Sequence, residues 1–339
     1  MDRLANAFRE FAKECHGSSA VYEALSLHIA GDEGLLALAS TAQLGQPVPN
    51  LLFAAVHAIL LRDGDADLSP YYGSLASDPL PPSEAFPAFR TFTLAHREEI
   101  ETSLAKRLVQ TNEVRRTIYL ASALARLGRE FPDRPFHLIE IGTSAGLNLL
   151  LDRFGYQYAG GKPFGDPASP VQLRSEVRGE HRPPATLRGV RVVGRVGVDL
   201  NPLDVRRPED LFWLRALVWP EHAERRRLLE RATELQSEAP VRLVAGDGIA
   251  RLPDLVAEAD PDAVVCVFHT HVANQMGAEG RTRLLATVEA LGQERDLVHL
   301  HNNIEPHLHA TLYRGGERKD FPLARVDGHA RWVEWLDEG

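Results

Sequence analysis

The chain has 339 residues, of which 44% are hydrophobic and 25% charged, and its formal net charge is −9. This composition is typical of a globular protein with one large or two smaller domains, and its acidic balance argues against nucleic acid as the main partner. The two cysteines, Cys15 and Cys266, suit a reducing compartment, and no apolar run reaches the ~20 residues of a membrane span. We therefore expect a cytoplasmic protein without a membrane partner.

The first 130 residues predict helices and no strand. Residues 51–61 form a nearly continuous apolar run that is typical of a buried helix. Further helices are predicted over residues 89–108 and 112–129. We expect residues 1–130 to form a helical N-terminal region that can cap the site of a following domain.

From residue 131 to 339 the pattern changes to an α/β domain. Strands alternating with helices predict a Rossmann-like, mostly parallel sheet. The tail has no helical segment between its β-rich runs, so it predicts an antiparallel C-terminal hairpin. The runs that predict parallel strands are 137–141, 190–200, 241–245, 263–268 and 296–301; those of the tail are 310–313, 322–326 and 331–335.

The most informative segment is a glycine turn after the first predicted strand. Small residues there let the backbone approach a ligand closely, and a helix predicted to start near Gly146 directs its amides at an anion. The spacing Glu140-x-Gly142-x-Ser144-x-Gly146 resembles the first motif of class I S-adenosylmethionine (SAM) methyltransferases. That resemblance implies SAM as the cofactor, with Glu140 accepting hydrogen bonds from its ammonium group. The implied binding residues are Glu140, Gly142, Thr143, Ser144, Ala145, Gly146 and Asn148.

Two further acids end the second and third predicted parallel strands. In the same resemblance, Asp199 binds the ribose hydroxyls and Asp247 lies against the adenine amino group, because parallel strands end at one edge of a sheet. About 50 residues separate the glycine turn from Asp199, whereas a compact βαβ unit has ~20. An insertion at about 155–189 is therefore expected. Neighbouring residues expected to line the cofactor are Leu200, Gly248 and Phe268.

Longer stretches resemble an uncharacterised bacterial family of domains of unknown function that is related to SAM methyltransferases. The similarity extends over nearly the whole chain but implies no established substrate. Within it, Gln110, Asn112 and Glu113 are candidates for the substrate side of the cofactor, while Thr111 or Asn112 can equally be a helix N-cap. The stretches are Pro49–His57, Gln110–Val114, Gly142–Asn148, Asp199–Asp204, Trp213–Glu221 and Gly328–Trp335.

A catalytic role is hypothesised for His269, which ends the fourth predicted parallel strand. A neutral imidazole there can take a proton from the acceptor, although a histidine bonded to neighbouring backbone fits equally well. The segment lacks the Asn/Asp-Pro-Pro-aromatic motif of amino methyltransferases, which disfavours a nucleobase amine. Three His-x-His pairs begin at His269, His299 and His307. Nothing in the sequence shows that these pairs converge, so no metal is predicted.

The predicted function is SAM-dependent transfer of a methyl group to a small or medium-sized acceptor. Gly142-x-Ser144-x-Gly146 also matches the nucleophile elbow of an α/β-hydrolase, with Asp262 and either His301 or His329 completing a triad. That fold needs strands upstream of the elbow, and none is predicted. A protein that binds SAM or a nucleoside without catalysis is the third interpretation.

Overall fold

The computed structural model describes residues 2–338, which divide into two compact units. The first, the helical unit, comprises the chain to Thr111 together with Arg206–Arg227; the second, the sheet unit, comprises Asn112–Val205 and the chain from Leu228 onward. None of the helices in residues 2–338 is both long and apolar enough to cross a membrane.

The helical unit contains no strand in its described residues. Its central helix has Pro49 near its start, ends before Gly64 (φ 68°), and is buried on nearly all sides because it is apolar around its circumference. Phe53 of this helix stacks on Tyr22, with ring centroids 4.2 Å apart. The helices are α1 (Asp2–Cys15), α2 (Ala20–Ile29), α3 (Glu33–Ala39), α4 (Val48–Asp63), α5 (Phe86–Ala95), α6 (Arg97–Lys106) and α8 (Pro208–Ala216).

The sheet unit is α/β, with a mostly parallel mixed sheet, antiparallel strands and helices. The strands are β1 (Phe136–Ile141), β2 (Gly155–Tyr158), β3 (Phe164–Gly165), β4 (Gln172–Arg178), β5 (Val192–Asp199), β6 (Arg242–Ala245), β7 (Val264–His269), β8 (Leu297–His301), β9 (Leu308–Arg314), β10 (Glu317–Val326) and β11 (Trp332–Trp335). Their order is β3-β2-β4-β11-β10-β9-β8-β7-β1-β5-β6. The helices are α7 (Thr117–Gly128), α10 (Gly248–Ala257) and α11 (Ala278–Glu294), with α9 (Ala223–Glu238) beginning in the helical unit.

Five of these strands, in the order β6-β5-β1-β7-β8, are parallel to one another. The chain adds β5 and β6 on one side of β1, and then β7 and β8 on the other. The strand order therefore reverses between β1 and β7, which makes the carboxyl ends of these two strands a topological switch point. Apolar residues on one face of this parallel part form a buried core with α10 and α11.

The expected insertion contributes strands. Segment 155–178 supplies β2, β3 and β4, and β4 joins the rest of the sheet through parallel pairing with β11. The tail is an antiparallel meander of β8, β9, β10 and β11, so the prediction of antiparallel strands there is confirmed. The predicted change to alternating strands and helices after residue 135 is also confirmed, since β1 is the first strand in the described chain.

The division into units differs in detail from the sequence-based boundary near residue 130. Helix α7 belongs to the sheet unit, and residues 206–227 belong to the helical unit although they lie between β5 and β6. Sequence periodicity identifies helices, but it does not indicate which neighbours a helix packs against. The assignment of α7 to the sheet unit and of residues 206–227 to the helical unit therefore could not be predicted from the local sequence.

Candidate functional site

The glycine turn connects β1 to a short helix and has three residues with left-handed backbone: Gly142 (φ 70°), Ser144 (φ 53°) and Gly146 (φ 76°). A Cβ atom added to Gly142 would lie 2.3 Å from Cγ2 of Val272, and one added to Gly146 would lie 2.6 Å from Cγ2 of Val241. Both glycines are therefore required by close packing against protein side chains as well as by their backbone conformation.

Glu140 is held inside this turn. Its carboxylate accepts hydrogen bonds from Thr143 Oγ1 at 2.7 Å and from Asn148 Nδ2 at 3.0 Å. Only 2% of the residue is exposed, and this burial raises its pKa to about 8. Glu140 is therefore mostly uncharged at neutral pH, and each of its oxygens is bonded within the turn.

The segment after Gly146 is a 3₁₀ helix, Leu147–Arg153, and Leu150 interrupts it with non-helical dihedral angles. The predicted α-helix is corrected accordingly. The backbone N–H of Leu147 donates to Oδ1 of Asn112 at 3.0 Å, so a side chain of the sheet unit takes this amide. A kinked seven-residue 3₁₀ helix supplies little of the aligned dipole expected for binding a cofactor carboxylate.

Asp199 ties the glycine turn to the end of β5. Its Oδ2 accepts from the backbone N–H of Ser144 at 2.8 Å, and its Oδ1 accepts from that of Asn201 at 2.9 Å. The next residue, Leu200, is 76% exposed. A carboxylate held by backbone amides thus lies beside an exposed apolar side chain at the carboxyl end of β5.

Asp247 follows β6 and is the N-cap of α10, where it accepts from the backbone N–H of Ile249 at 2.8 Å. Its other oxygen accepts from Nη2 of Arg283 at 3.2 Å. A Cβ on Gly248 would lie 2.6 Å from Cγ2 of Ile141, so this glycine permits α10 to pack on the sheet. The exposed Asp247 carboxylate therefore caps α10, a role that the sequence motif did not predict.

A polar group that the sequence did not identify surrounds the carboxyl ends of β7 and β8. The backbone N–H of His271 donates to Oδ1 of Asn302 at 2.8 Å, and Asn302 Nδ2 donates to the hydroxyl of Tyr119 at 3.4 Å. Arg116 donates through Nε to the carbonyl of Gly328 at 3.0 Å. Burial, reinforced by Arg116, lowers the pKa of His271 to about 3, so its imidazole is neutral.

Two of the three residues expected on the substrate side lie in this part of the sheet unit. Asn112 binds the Leu147 amide, and buried Glu113 accepts from the backbone N–H of Arg115 at 3.2 Å. Both therefore support the start of α7 and the glycine turn. Gln110 is partly buried and belongs to the helical unit.

Left-handed backbone concentrates at this edge of the sheet. Within residues 2–338, five non-glycine residues have positive φ, and three of them follow a parallel strand within three residues. They are Ser144 after β1, His271 (φ 56°) after β7 and Asn303 (φ 65°) after β8. Such conformations cost of order 1–3 kcal/mol each and cluster at functional sites. The sequence does not indicate these positive φ angles, because residues other than glycine adopt them only in a minority of cases.

His269 belongs to a different group, which we call the histidine cluster: His269, His299, His301 and His309. His269 is fully buried, as is Phe268 beside it, and its Nε2 is 3.1 Å from Nε2 of His299. Strand pairing aligns His269 with His301 and His301 with His309 on one face of the sheet. Burial lowers the pKa of His269 to about 4 and lowers those of His299 and His301 as well. Within residues 2–338, no three His, Cys, Asp or Glu side chains are already arranged around a common metal position.

The chain belongs to a bacterial protein family. The family model described as "Uncharacterized protein conserved in bacteria (DUF2332)" matches residues 5–335, nearly the whole chain. The family resemblance inferred from the sequence agrees with this match to an uncharacterised bacterial family. A comparison with curated proteins found no match.

Proposed function

We propose that this protein is a SAM-dependent methyltransferase that acts on a small or medium-sized acceptor. The observation that carries the proposal is the reversal of strand order between β1 and β7, with Glu140, Asp199 and Asp247 at or just beyond the ends of β1, β5 and β6. In open α/β sheets, ligands bind outside the carboxyl ends of the strands at such a reversal. The Rossmann-like interpretation of the sheet is part of this proposal.

The residues present fit the nucleoside part of SAM better than its methionine part. Asp199 would bind the ribose hydroxyls, Leu200 offers an apolar surface to adenine, and exposed Asp247 would accept from the adenine amino group. Asp199 and Asp247 also accept hydrogen bonds within the protein, but the first is partly exposed and the second exposed. Glu140 is instead buried and bonded to Thr143 and Asn148, and the Leu147 amide is bonded to Asn112. We therefore assign cofactor recognition chiefly to the nucleoside end.

The polar group around β7 and β8 is assigned to the acceptor. When bound, the cofactor supplies an electrophilic methyl group, so the protein mainly has to align the acceptor and exclude water. His271 is neutral and lies beside Asn302 and Arg116, which suits hydrogen bonding to a hydroxyl, acid or amine acceptor. His269 is fully buried against His299, so its position favours His271 for this role.

A serine hydrolase using Ser144 is the second candidate, because Ser144 has the left-handed backbone expected of a nucleophile elbow. Two observations weigh against it. No strand precedes β1 in the described chain, whereas that fold places several strands before the elbow, and a 3₁₀ helix follows Ser144 where the elbow requires an α-helix.

Calorimetric titration with S-adenosylhomocysteine tests the proposal. We expect micromolar binding by the wild type and at least tenfold weaker binding (~1.4 kcal/mol) by Asp199→Ala. The matched control is Asp262→Ala, an exposed aspartate before β7 at the opposite edge of the sheet, which should bind as the wild type does.

Asp199 also accepts from the Ser144 amide, so its removal could weaken binding by disturbing the glycine turn. A second ligand distinguishes this structural effect from loss of a direct contact with the ribose. An analogue lacking the ribose hydroxyls should bind the wild type about tenfold more weakly and bind Asp199→Ala as S-adenosylhomocysteine does. Absence of binding by either ligand would refute the proposal, and labelling of Ser144 by a fluorophosphonate would then favour the hydrolase. Binding without turnover on a panel of acceptors would favour a non-catalytic SAM-binding protein.

A further inference from the structure

The histidine cluster is unusual because its buried nitrogens lack protein partners. Within residues 2–338, the Nδ1 atoms of all four rings are buried and accept or donate no hydrogen bond to protein. The one hydrogen bond between cluster members joins His269 and His299. A buried polar atom without a partner costs roughly 1–3 kcal/mol, so four of them are a large part of the stability of an ordinary domain. The cluster therefore offers more buried imidazole nitrogens than protein partners, although an ion bound through Nε2 would not itself supply the missing Nδ1 partners.

The spacing of three rings fits a transition-metal ion. At a Zn–N distance of about 2.0–2.1 Å, two tetrahedral imidazole ligands have nitrogens about 3.3 Å apart and ring centroids about 5.2 Å apart. The Nε2 atoms of His269 and His299 are 3.1 Å apart. Ring centroids are 5.1 Å apart for His269–His299, 5.5 Å for His269–His301 and 4.5 Å for His299–His301.

The backbone fixes this spacing, because the three residues lie on neighbouring strands with paired register. His269 on β7 is aligned with His301 on β8, and His299 is two residues before His301 on the same face. What separates the arrangement from a completed site is ring orientation: the His301 ring is within 12° of parallel to that of His269. A three-histidine site therefore requires His301 to rotate about its side-chain torsions, so that one of its nitrogens faces the point between the other two.

The chemistry of the rings restricts which ion can bind. The neutral imidazole is the form that ligates metals. A set made only of imidazoles favours Zn²⁺, Co²⁺, Ni²⁺ or Cu²⁺ over Mg²⁺ and Ca²⁺, which prefer oxygen.

Partly exposed histidines adjoin these rings. His309 is adjacent to His301, with centroids 5.4 Å apart, and partly exposed His307 is 5.9 Å from His309. Asp320 Oδ1 is 3.1 Å from His309 Nε2, so a carboxylate orients the ring at the outer end, as outer-shell carboxylates do in metal sites.

We propose that His269, His299 and His301 bind one divalent transition-metal ion, with His309 and Asp320 at the entrance to the site. This proposal is independent of the proposed methyl transfer, since none of these residues is assigned to cofactor or acceptor binding. If it holds, His269 is a metal ligand and takes no part in proton transfer to the acceptor.

Cobalt binding by untagged protein tests the proposal. Stripped wild-type protein should take up one Co²⁺ per chain with the visible absorption of a tetrahedral nitrogen site, and Zn²⁺ should displace it while Mg²⁺ does not. Replacement of a ligand in His299→Gln should weaken binding by more than roughly 100-fold, because outer-shell changes alone weaken metal sites 10–100-fold. The control His181→Ala removes an exposed histidine and should bind as the wild type does.

Two further measurements keep the test independent of variant folding. The thermal unfolding temperature of the wild type should rise with Zn²⁺ and return on chelation, because an ion bound only to the folded state stabilises it. Circular dichroism of His299→Gln verifies that it is folded. Failure of the wild type to bind Co²⁺ and Zn²⁺ at micromolar concentration would overturn the proposal, as would wild-type affinity in folded His299→Gln.

Discussion

Two buried polar groups in the sheet unit satisfy their hydrogen bonds in opposite ways. In the glycine turn, Glu140 accepts from Thr143 and Asn148, so an acceptor and two donors from one nine-residue segment complete each other. The histidine cluster brings together four identical rings from three strands, and their Nδ1 atoms have no partner in the described chain. In the first group both Glu140 oxygens have partners, although Asn148 Oδ1 has none in the described chain. The second group has the composition of a ligand site.

The comparison indicates that the role of a buried polar residue depends on whether its partners come from the same turn or from neighbouring strands. Local groups can be selected to match one another, because their relative positions follow from a single turn. Neutral imidazoles, with one N–H and one bare nitrogen each, can pair as His269 and His299 do, but the four Nδ1 atoms have no partner in the described chain. We therefore assign a structural role to Glu140 and a binding role to the histidines.

The largest expected effect comes from removing the acceptor in the glycine turn. Glu140→Ala should lower the free energy of unfolding by about 3 kcal/mol, because the donors on Thr143 and Asn148 remain buried without their acceptor. Chemical denaturation measures this loss. Glu140→Gln, which keeps an acceptor oxygen and the shape of the side chain, should lose less than half as much; equal losses would contradict the structural role of Glu140.

The two groups also predict opposite pH dependences of the free energy of unfolding. Burial raises the pKa of Glu140 from 4.5 to about 8, so its contribution is complete below pH 4.5 and is lost as the pH rises toward 8. Burial lowers the pKa of His269 from 6.5 to about 4, so its contribution is complete above pH 6.5 and is lost as the pH falls toward 4. Each slope approaches about 1.4 kcal/mol per pH unit.

Glu140→Gln separates these contributions. Above pH 6.5 only Glu140 of the two still titrates, so the wild type should lose stability from pH 6.5 to 8 while the variant stays constant in that range. Between pH 6.5 and 4.5 the two contributions oppose each other in the wild type, so its stability should change little. The variant should become less stable in this range as the histidine is protonated in the unfolded chain. If the free energies of unfolding of the wild type and Glu140→Gln change with pH in parallel above pH 6.5, Glu140 is charged in the folded protein.

The smallest effect is expected for an apolar substitution in the histidine cluster. Within residues 2–338, the side chain of His301 makes ring contacts and no hydrogen bond. In metal-free protein, His301→Leu should therefore change the free energy of unfolding by less than about 1 kcal/mol, because no partner is left unsatisfied. A loss above about 2 kcal/mol in the presence of chelator would show that protein or water already satisfies this ring.

The sequence predicts the α/β fold well because its signals are local. Short β-rich runs located β1, β5, β6, β7 and β8 to within two residues of their observed ends, and the missing helices in the tail indicated the antiparallel strands. The structure also brings together two residues that the sequence placed in one site, since the backbone N–H of Ser144 donates to Asp199.

The parts that the sequence missed depend on packing between distant segments. The helix predicted after Gly146 is a 3₁₀ helix, and the amide of its first residue, Leu147, is bonded to Asn112, 35 residues away in sequence. Convergence of the His-x-His pairs depends on the register of β7, β8 and β9, which no single strand encodes. The polar group at His271 depends in the same way on contacts with Asn302 and Arg116.

The position of β11 determines when the sheet can be completed during synthesis. This strand, only four residues long, pairs with β10 on one side and with β4 on the other, so it joins β2–β4 to the remaining strands. Trp332 is aligned with Glu176, more than 150 residues earlier in the chain. Segment 155–178 must therefore wait until β11 has been synthesised before this edge is paired, and pairing over such separations is slow and leaves strand edges exposed. A nascent chain that stops before residue 332 keeps two incomplete sheets, so β11 decides whether the sheet becomes continuous.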